Sequence, residues 1–229
     1  MGSLSQLLFP VFCMVCEQPG DIFCAACNLK FIRVNRNCHL DEISIWPGAF
    51  YGDELARIIV AAKDKNSSPA RNFLVQLLVE AFMRATTDLT REARVRLIPI
   101  PSSPSSNRRR GFRHAHFLSK SLAEQVQSRF SEPLEVFEAL RVNRRIADQS
   151  ALNKSQRVQN IAGAYSVIPK FDKKLLAGSA DVTFLVDDLL TSGSTVQEGV
   201  RSMKVAGAPL PGVLCAGVSP RLFSQYDRG

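Results

Sequence analysis

The sequence predicts an α/β fold, a parallel sheet flanked by helices, with a small cysteine-rich ribbon in front of it. Three observations carry that expectation. Short apolar runs rich in β-branched and aromatic residues alternate with segments whose apolar positions recur at helical spacing, the order that yields parallel strands joined by right-handed crossovers. The 229 residues accommodate a domain of about 150–200 residues with some tens to spare. Two CxxC pairs stand close together near the start of the chain. The expected division is a ribbon and linker over residues 1–45 and an α/β domain over residues 46–229.

Cys13 and Cys16 form one CxxC and Cys24 and Cys27 the other, with the turn formers Pro19, Gly20 and Asp21 between them. That spacing places four thiolates at the corners of a small hairpin, the donor set of a tetrahedral structural zinc ion. A redox pair and unmetallated thiols are the alternatives, although a redox CxxC normally occurs once, beside a βαβ pattern. Four protein ligands leave no open position, so the ion would hold the fold and not catalyse. Cys38 and Cys215 have no such partner spacing, and Cys215, inside VLCAGV, is expected in the core. Trp46 and Pro47 are expected to form a packing hinge between ribbon and domain.

Residues 53–63, DELARIIVAAK, have helical periodicity, and Pro69 opens a longer amphipathic helix through Phe73, Leu77, Leu78 and Phe82. Residues 95–100 form a strand ending in prolines, and residues 102–110 a polar loop. Phe112, Phe117, Leu118, Leu122 and Val126 mark the next helix. Strands are expected over residues 135–140, 164–168 and 212–218. Of the histidines His39, His114 and His116, the last two lie two positions apart and share no helix face, which argues against a metal pair.

The most chemical stretch is VTFLVDDLLTSGST, residues 182–195. Residues 182–186 read as a strand buried on both faces. Asp187 and Asp188 then fall at its carboxyl end, where open α/β sheets bind ligands. Thr191, Ser192, Gly193, Ser194 and Thr195 lead into a helix whose apolar positions are Val196, Val200 and Met203. A hydroxyl-rich turn at a helix start gathers free N–H groups, hydroxyl donors and the positive end of the helix dipole, which suits a phosphate. Two carboxylates beside it suit vicinal hydroxyls, and a phosphorylated sugar has both ends. The plainer reading is a turn followed by an ordinary Ser/Thr cap.

The net charge of +8 is uneven. Residues 61–180 carry 21 basic and ten acidic groups, against four and six before them and four and five after. The excess is densest at Arg108, Arg109, Arg110 and Arg113, followed by Arg141, Arg144, Arg145, Lys154 and Arg157. Such a band serves polyphosphate, nucleic acid or simply a solvated surface. No apolar run approaches the roughly 18 residues needed to span a membrane. The first residues lack a basic n-region and a small-residue cleavage site, and Gln6 stands where myristoylation needs Ser or Thr. A cytoplasmic protein without membrane insertion is expected.

LVDDLLTSGST resembles the phosphoribosyl pyrophosphate (PRPP) signature of the type I phosphoribosyltransferases, with Ser192 in place of the commoner second Thr. The resemblance implies that Asp187 and Asp188 bind the ribose hydroxyls and that residues 191–195 cradle the 5′-phosphate. IPIPSSPSSNRRRGFRHAHFLSKSLA is similar to the ComF (GntX-like) branch of these proteins, in which a proline-containing strand end and a variable loop precede RGF and a helix ending in Leu-Ala. Arg110, Gly111 and Phe112 match the RGF, which makes Arg110 and Gly111 candidate ligand contacts; Arg113 and His114 stand where the family commonly has Asn and Gln. Gln149, Leu152, Arg157, Asn160, Gly163, Ala164 and Tyr165 fit a third spaced pattern, with Ile146 and Ala147 near its missing Thr. Together with the paired CxxC and the Tyr51/Lys63 helix region, the likeness covers nearly the whole chain.

By that resemblance, the reaction is displacement of pyrophosphate from C1 of PRPP by a nitrogen nucleophile, with Mg2+ accompanying the pyrophosphate. Carboxylates near the ribose would stabilise its oxocarbenium-like transition state, and arginines would close over the leaving group. The sequence offers no evident general base and no pocket for the acceptor. The second reading, from the family's association with competence, is a non-enzymatic DNA-uptake accessory factor that binds single-stranded DNA or partner proteins. The surface aromatics that stacking on bases requires are not interleaved with the basic residues.

Overall fold

A computed structural model describes residues 11–143, 161–169, 171, 182–209 and 211–226. Its elements are α1 (Ala25–Asn28), β1 (Cys38–Leu40), β2 (Ile43–Phe50), α2 (Asp53–Lys63), α3 (Ser68–Ala85), β3 (Val95–Pro99), α4 (Pro104–Arg110) and α5 (His114–Val126), then β4 (Glu135–Val136), β5 (Leu140–Val142), β6 (Tyr165–Val167), β7 (Val182–Leu190), α6 (Ser194–Val205), β8 (Gly212–Val218) and α7 (Pro220–Tyr226). Six strands form one sheet in the order β1-β2-β8-β7-β3-β4. Every pairing in it is parallel except β1 with β2, so the expected α/β architecture is present as a mostly parallel sheet. β5 and β6 pair antiparallel in a second, small sheet.

The sheet separates two apolar clusters. On one side α2, α3 and α5 bring Leu55, Ile58, Leu74, Leu78 and Leu118 against Leu97, Val186 and Leu214. On the other, Val196, Val200 and Met203 of α6 pack with Leu185, Val213 and Ile98. β7 feeds both clusters by alternation, Phe184 and Val186 to the first and Leu185 to the second. That is why the central strand reads as a continuous apolar run. α3 lies so close on β2 that a Cβ added to Gly48 would stand 2.6 Å from Leu77 Cβ and 2.7 Å from its carbonyl.

Four expectations need correction. Trp46 and Pro47 are not a hinge: they lie inside β2, which crosses the expected boundary at 45/46, and Pro47 faces Cys215 of β8. Residues 102–110 are not a loop throughout. Ser103 accepts a hydrogen bond from the Ser106 N–H at 3.2 Å, Pro104 follows at the first helical position, and Gly111 closes α4 at φ 75°. The single strand over residues 135–140 is two: the Phe137 N–H still donates to Leu97 on β3, but Ala139 accepts from Ile168, so the chain crosses to the second sheet between them. Finally, β7 runs on through Asp187 and Asp188 to Leu190, with Leu190 opposite Val218.

The ribbon docks on the helical face. Phe23 stacks on Phe73 of α3 at 4.3 Å, Phe31 lies 4.9 Å from the same ring, and Arg57 of α2 donates to the Val15 carbonyl at 2.6 Å. Val15 and Phe31 belong to the same buried cluster as Leu74 and Leu78.

Candidate functional site

Two constellations stand out. In the ribbon, the Cys13 N–H donates to Gln18 O at 2.9 Å and the Glu17 N–H to Cys13 O at 2.8 Å, a tight turn that brings Cys16 back beside Cys13. Cys24 caps α1 and Cys27 lies one turn on, so both thiols face the turn. The four Sγ atoms lie within 4.8 Å of one another, and Cys16 and Cys24 are 3.7 Å apart. A tetrahedral site with Zn–S of ~2.3 Å has S···S edges of about 3.8 Å, whereas a disulfide needs about 2.05 Å. All four are free thiols. The cluster therefore fits a metal ion such as zinc. Burial and the neighbouring thiols push Cys27 up to about 12, a penalty that a divalent cation among the thiolates reverses.

The second constellation is a cleft of about 630 Å³ at the carboxyl end of β7 and β3. Asp188 is buried, and its Oδ2 lies 2.6 Å from Lys63 Nζ, supplied by the last residue of α2. Asp187 Oδ1 accepts the Asp188 N–H at 2.9 Å. Burial, reinforced by the charge of Asp188, pushes Asp187 well above the usual carboxylate range. Burial acts on Asp188 the same way, but Lys63 outweighs it and holds Asp188 down to about 2. One carboxyl is thus driven toward its protonated form and the other held ionised, so the pair can both donate to and accept from vicinal hydroxyls.

The hydroxyl-rich turn closes the same cleft. Gly193, at φ 75°, reverses the chain into α6 and offers no side-chain cap; the first N–H of that twelve-residue helix, that of Ser194, donates to Ser192 Oγ at 3.5 Å, and those of Thr195 and Val196 are left for a ligand. Thr191, Ser192, Gly193 and Thr195 line the cleft. Ser194 does not; it is buried, 2.8 Å from Ser192 Oγ, and supports the turn. Arg109 and Arg110 of α4 line the same cleft. Asp64 holds Arg110 at 3.4 Å and Arg109 at 3.9 Å. Gly111 terminates α4 without lining the cleft. Tyr165 lines it, fixed by its N–H donating to Glu198 of α6 at 3.0 Å and its hydroxyl donating to Pro101 O at 3.2 Å.

Two residues take places beside the acid pair that the sequence reading did not assign to them, Lys63 and His114. His114 is 2 % exposed, its Nε2 lies 3.9 Å from Asp188 Oδ2, and neither ring nitrogen has a hydrogen-bond partner among the described residues. Burial pulls it down to about 4 against the attraction of Asp188, so it is neutral at pH 7. Arg113 turns away from the cleft to pair with Glu138 at 2.6 Å. Arg144, Arg145, Ile146, Ala147, Gln149, Leu152, Lys154, Arg157 and Asn160 lie outside the described residues. Cys215 is fully buried, as expected.

No family model matches the chain, and no curated protein matches it. None of the described helices is long and apolar enough to cross a membrane.

Proposed function

We propose that the protein binds PRPP or a closely related phosphosugar and transfers its phosphoribosyl group to a nitrogen acceptor. The observation that carries this reading is the convergence in one cleft of Asp187, Asp188, the uncapped start of α6 and Arg110. The 5′-phosphate would take the N–H groups and hydroxyls of residues 191–195, and the ribose hydroxyls would meet the acid pair. Arg109 and Arg110 would reach the pyrophosphate, because guanidinium forks match phosphate oxygens. Magnesium would enter with the pyrophosphate, held through its oxygens and a carboxylate. The four cysteines would carry zinc as a structural ion. The reading also rests on the resemblance of LVDDLLTSGST and RRRGF to ComF-type phosphoribosyltransferase-like proteins.

Calorimetric titration of PRPP with Mg2+ tests it. Binding is expected in the native chain and a loss of at least a hundredfold in the Asp187→Asn, Asp188→Asn double variant; unchanged affinity in that variant would sink the ribose assignment. Arg108 and Arg109 are exposed on the last turn of α4, which favours a second reading, contact with single-stranded DNA. That reading requires retention at low salt that falls steeply as salt rises and is lost when both arginines become Ala.

A further inference from the structure

The cysteine cluster and the cleft hold opposite ends of the same turn of chain. Met14 and Val15 are the two residues inside the first CxxC, so an ion held by Cys13 and Cys16 fixes their backbone directly. They are also the residues that reach the domain. The Val15 carbonyl accepts from Arg57 Nη1 of α2 at 2.6 Å, and Met14 Sδ accepts from Ser67 Oγ at 3.4 Å. Ser67 in turn caps α3 by accepting the Ala70 N–H, and its own N–H donates to Ala61 O of α2 at 3.0 Å, which ties the two helices together.

Only residues 64–67 separate α2 from α3. Just before them Lys63 holds Asp188 at 2.6 Å, and Asp64, the first of them, holds Arg110 at 3.4 Å. Arg57 and Lys63 lie on one helix, about 9 Å apart along its axis at 1.5 Å per residue. Ile58, Ile59 and Ala62 between them are buried, so α2 moves as a body. The CxxC turn at the far end of this link is costly to form by itself. Glu17, next to Cys16, stands at φ 59°, a left-handed conformation that strains a residue with a side chain. Cys13 and Cys27 are buried, and only a cation lets the four clustered thiols become thiolates there.

We propose that the metal ion of the ribbon controls the affinity of the cleft for the phosphosugar, acting through Arg57, Ser67 and the α2–α3 turn. The inference rests on the phosphosugar reading of the cleft. With the ion in place the CxxC turn is closed, Arg57 and Ser67 have their partners, and Lys63 and Asp64 are held against Asp188 and Arg110. Without it the turn relaxes, Val15 and Met14 withdraw, and the end of α2 is free to drift from the acid pair that meets the ribose. Two sites and one element with two positions make this a coupling between ligands, and such a coupling is reciprocal.

The test uses the full chain and ribose 5-phosphate, which carries the 5′-phosphate and the ribose hydroxyls but needs no Mg2+, so a chelator acts at the ribbon alone. Its affinity is measured calorimetrically on the zinc-loaded chain and on the chain stripped by chelator. Zinc affinity is measured by competition with the chelator, with and without saturating ribose 5-phosphate. Stripping is expected to weaken ribose 5-phosphate at least fivefold, and ribose 5-phosphate to tighten zinc by the same factor, within the roughly 5–150-fold span of ordinary coupling. Arg57→Leu should weaken ribose 5-phosphate fivefold or more on the loaded chain while one zinc stays bound. Arg57→Lys, which keeps a donor for the Val15 carbonyl, should stay within twofold of the native affinity. Equal affinities on loaded and stripped chains overturn the proposal and leave the phosphosugar reading standing. So does native affinity in Arg57→Leu, and so does loss of the helical circular-dichroism signal on stripping, since the ion then holds the whole fold and not one turn. No binding of ribose 5-phosphate to the loaded chain removes the phosphosugar reading, and the coupling with it.

Discussion

Replacing Lys63 with Met keeps the length of the side chain at the end of α2 and removes its charge from Asp188. In the native protein that charge holds a buried carboxylate down to about 2, below its ordinary value of 3.8. Restoring 3.8 alone costs roughly 2 kcal/mol, at about 1.4 kcal/mol per unit. Burial drives the uncompensated group higher still, and breaking a buried pair typically costs about 3–5 kcal/mol. A loss of about 2–4 kcal/mol at pH 7.5 is therefore expected, which at this chain length lowers the melting temperature by roughly 2–4 °C per kcal/mol. The sign with pH is fixed by linkage. Native Asp188 contributes stability above the unfolded value that is lost only as pH falls toward 2; in the variant its folded value is raised, so acidification protonates and relieves it. The gap between the two proteins must shrink from pH 7.5 to pH 5, by up to 1.36 kcal/mol per unit. Urea unfolding at both values measures this. A gap below about 0.5 kcal/mol at pH 7.5, or one that widens in acid, refutes the argument that Lys63 compensates Asp188.

Freshly purified protein should carry one zinc per chain by elemental analysis, and chelation should lower its melting temperature and release thiols; a stoichiometry near zero rejects the ribbon as a metal site. Gly48→Ala should destabilise by about 1–3 kcal/mol in urea, because its Cβ meets Leu77 at 2.6 Å and the facing atom is backbone-anchored. An unchanged midpoint there would mean that α3 can move off β2. His114, held at about 4 in the fold against 6.5 when exposed, should make stability fall as pH drops from 6.5 to 4, by about 3 kcal/mol in all. His114→Asn should flatten that slope, and a slope equal to the native one would show that His114 is not buried neutral.

What the sequence discloses and what it withholds divide along physical lines. α2 and β8 are legible to the residue because burial on one helical stripe, or on both faces of a strand, writes its period directly into the chain. The four cysteines are legible because the ion they fit imposes local spacing. α4 carries its signals openly, Ser103, Pro104 and Gly111, yet its body of serines and arginines has no apolar stripe, so periodicity is silent and only the caps speak. β2 fails the other way: Trp46 and Pro47 read as a hinge, but Pro47 sits within parallel pairing with β8 and Gly48 beside it lets α3 approach. The contacts of Lys63 and His114 with Asp188 are illegible from spacing. The two residues stand 125 and 74 positions before Asp188 in sequence, and what recruits them is a single carboxylate that the parallel order of β3, β7 and β8 places at one end of the sheet. A lone lysine at a helix end is ordinary surface until the crossover brings that end to an acid pair. The same topology explains why a second cavity, about 370 Å³ beside the cleft, has no signature: its unsatisfied atoms come from α4 and α5 and its apolar walls from β3, β5 and the residues after β6. The acid pair and the hydroxyl-rich turn of the cleft are written in one continuous segment, residues 182–195, while Lys63, Arg110 and Tyr165 join them only after folding.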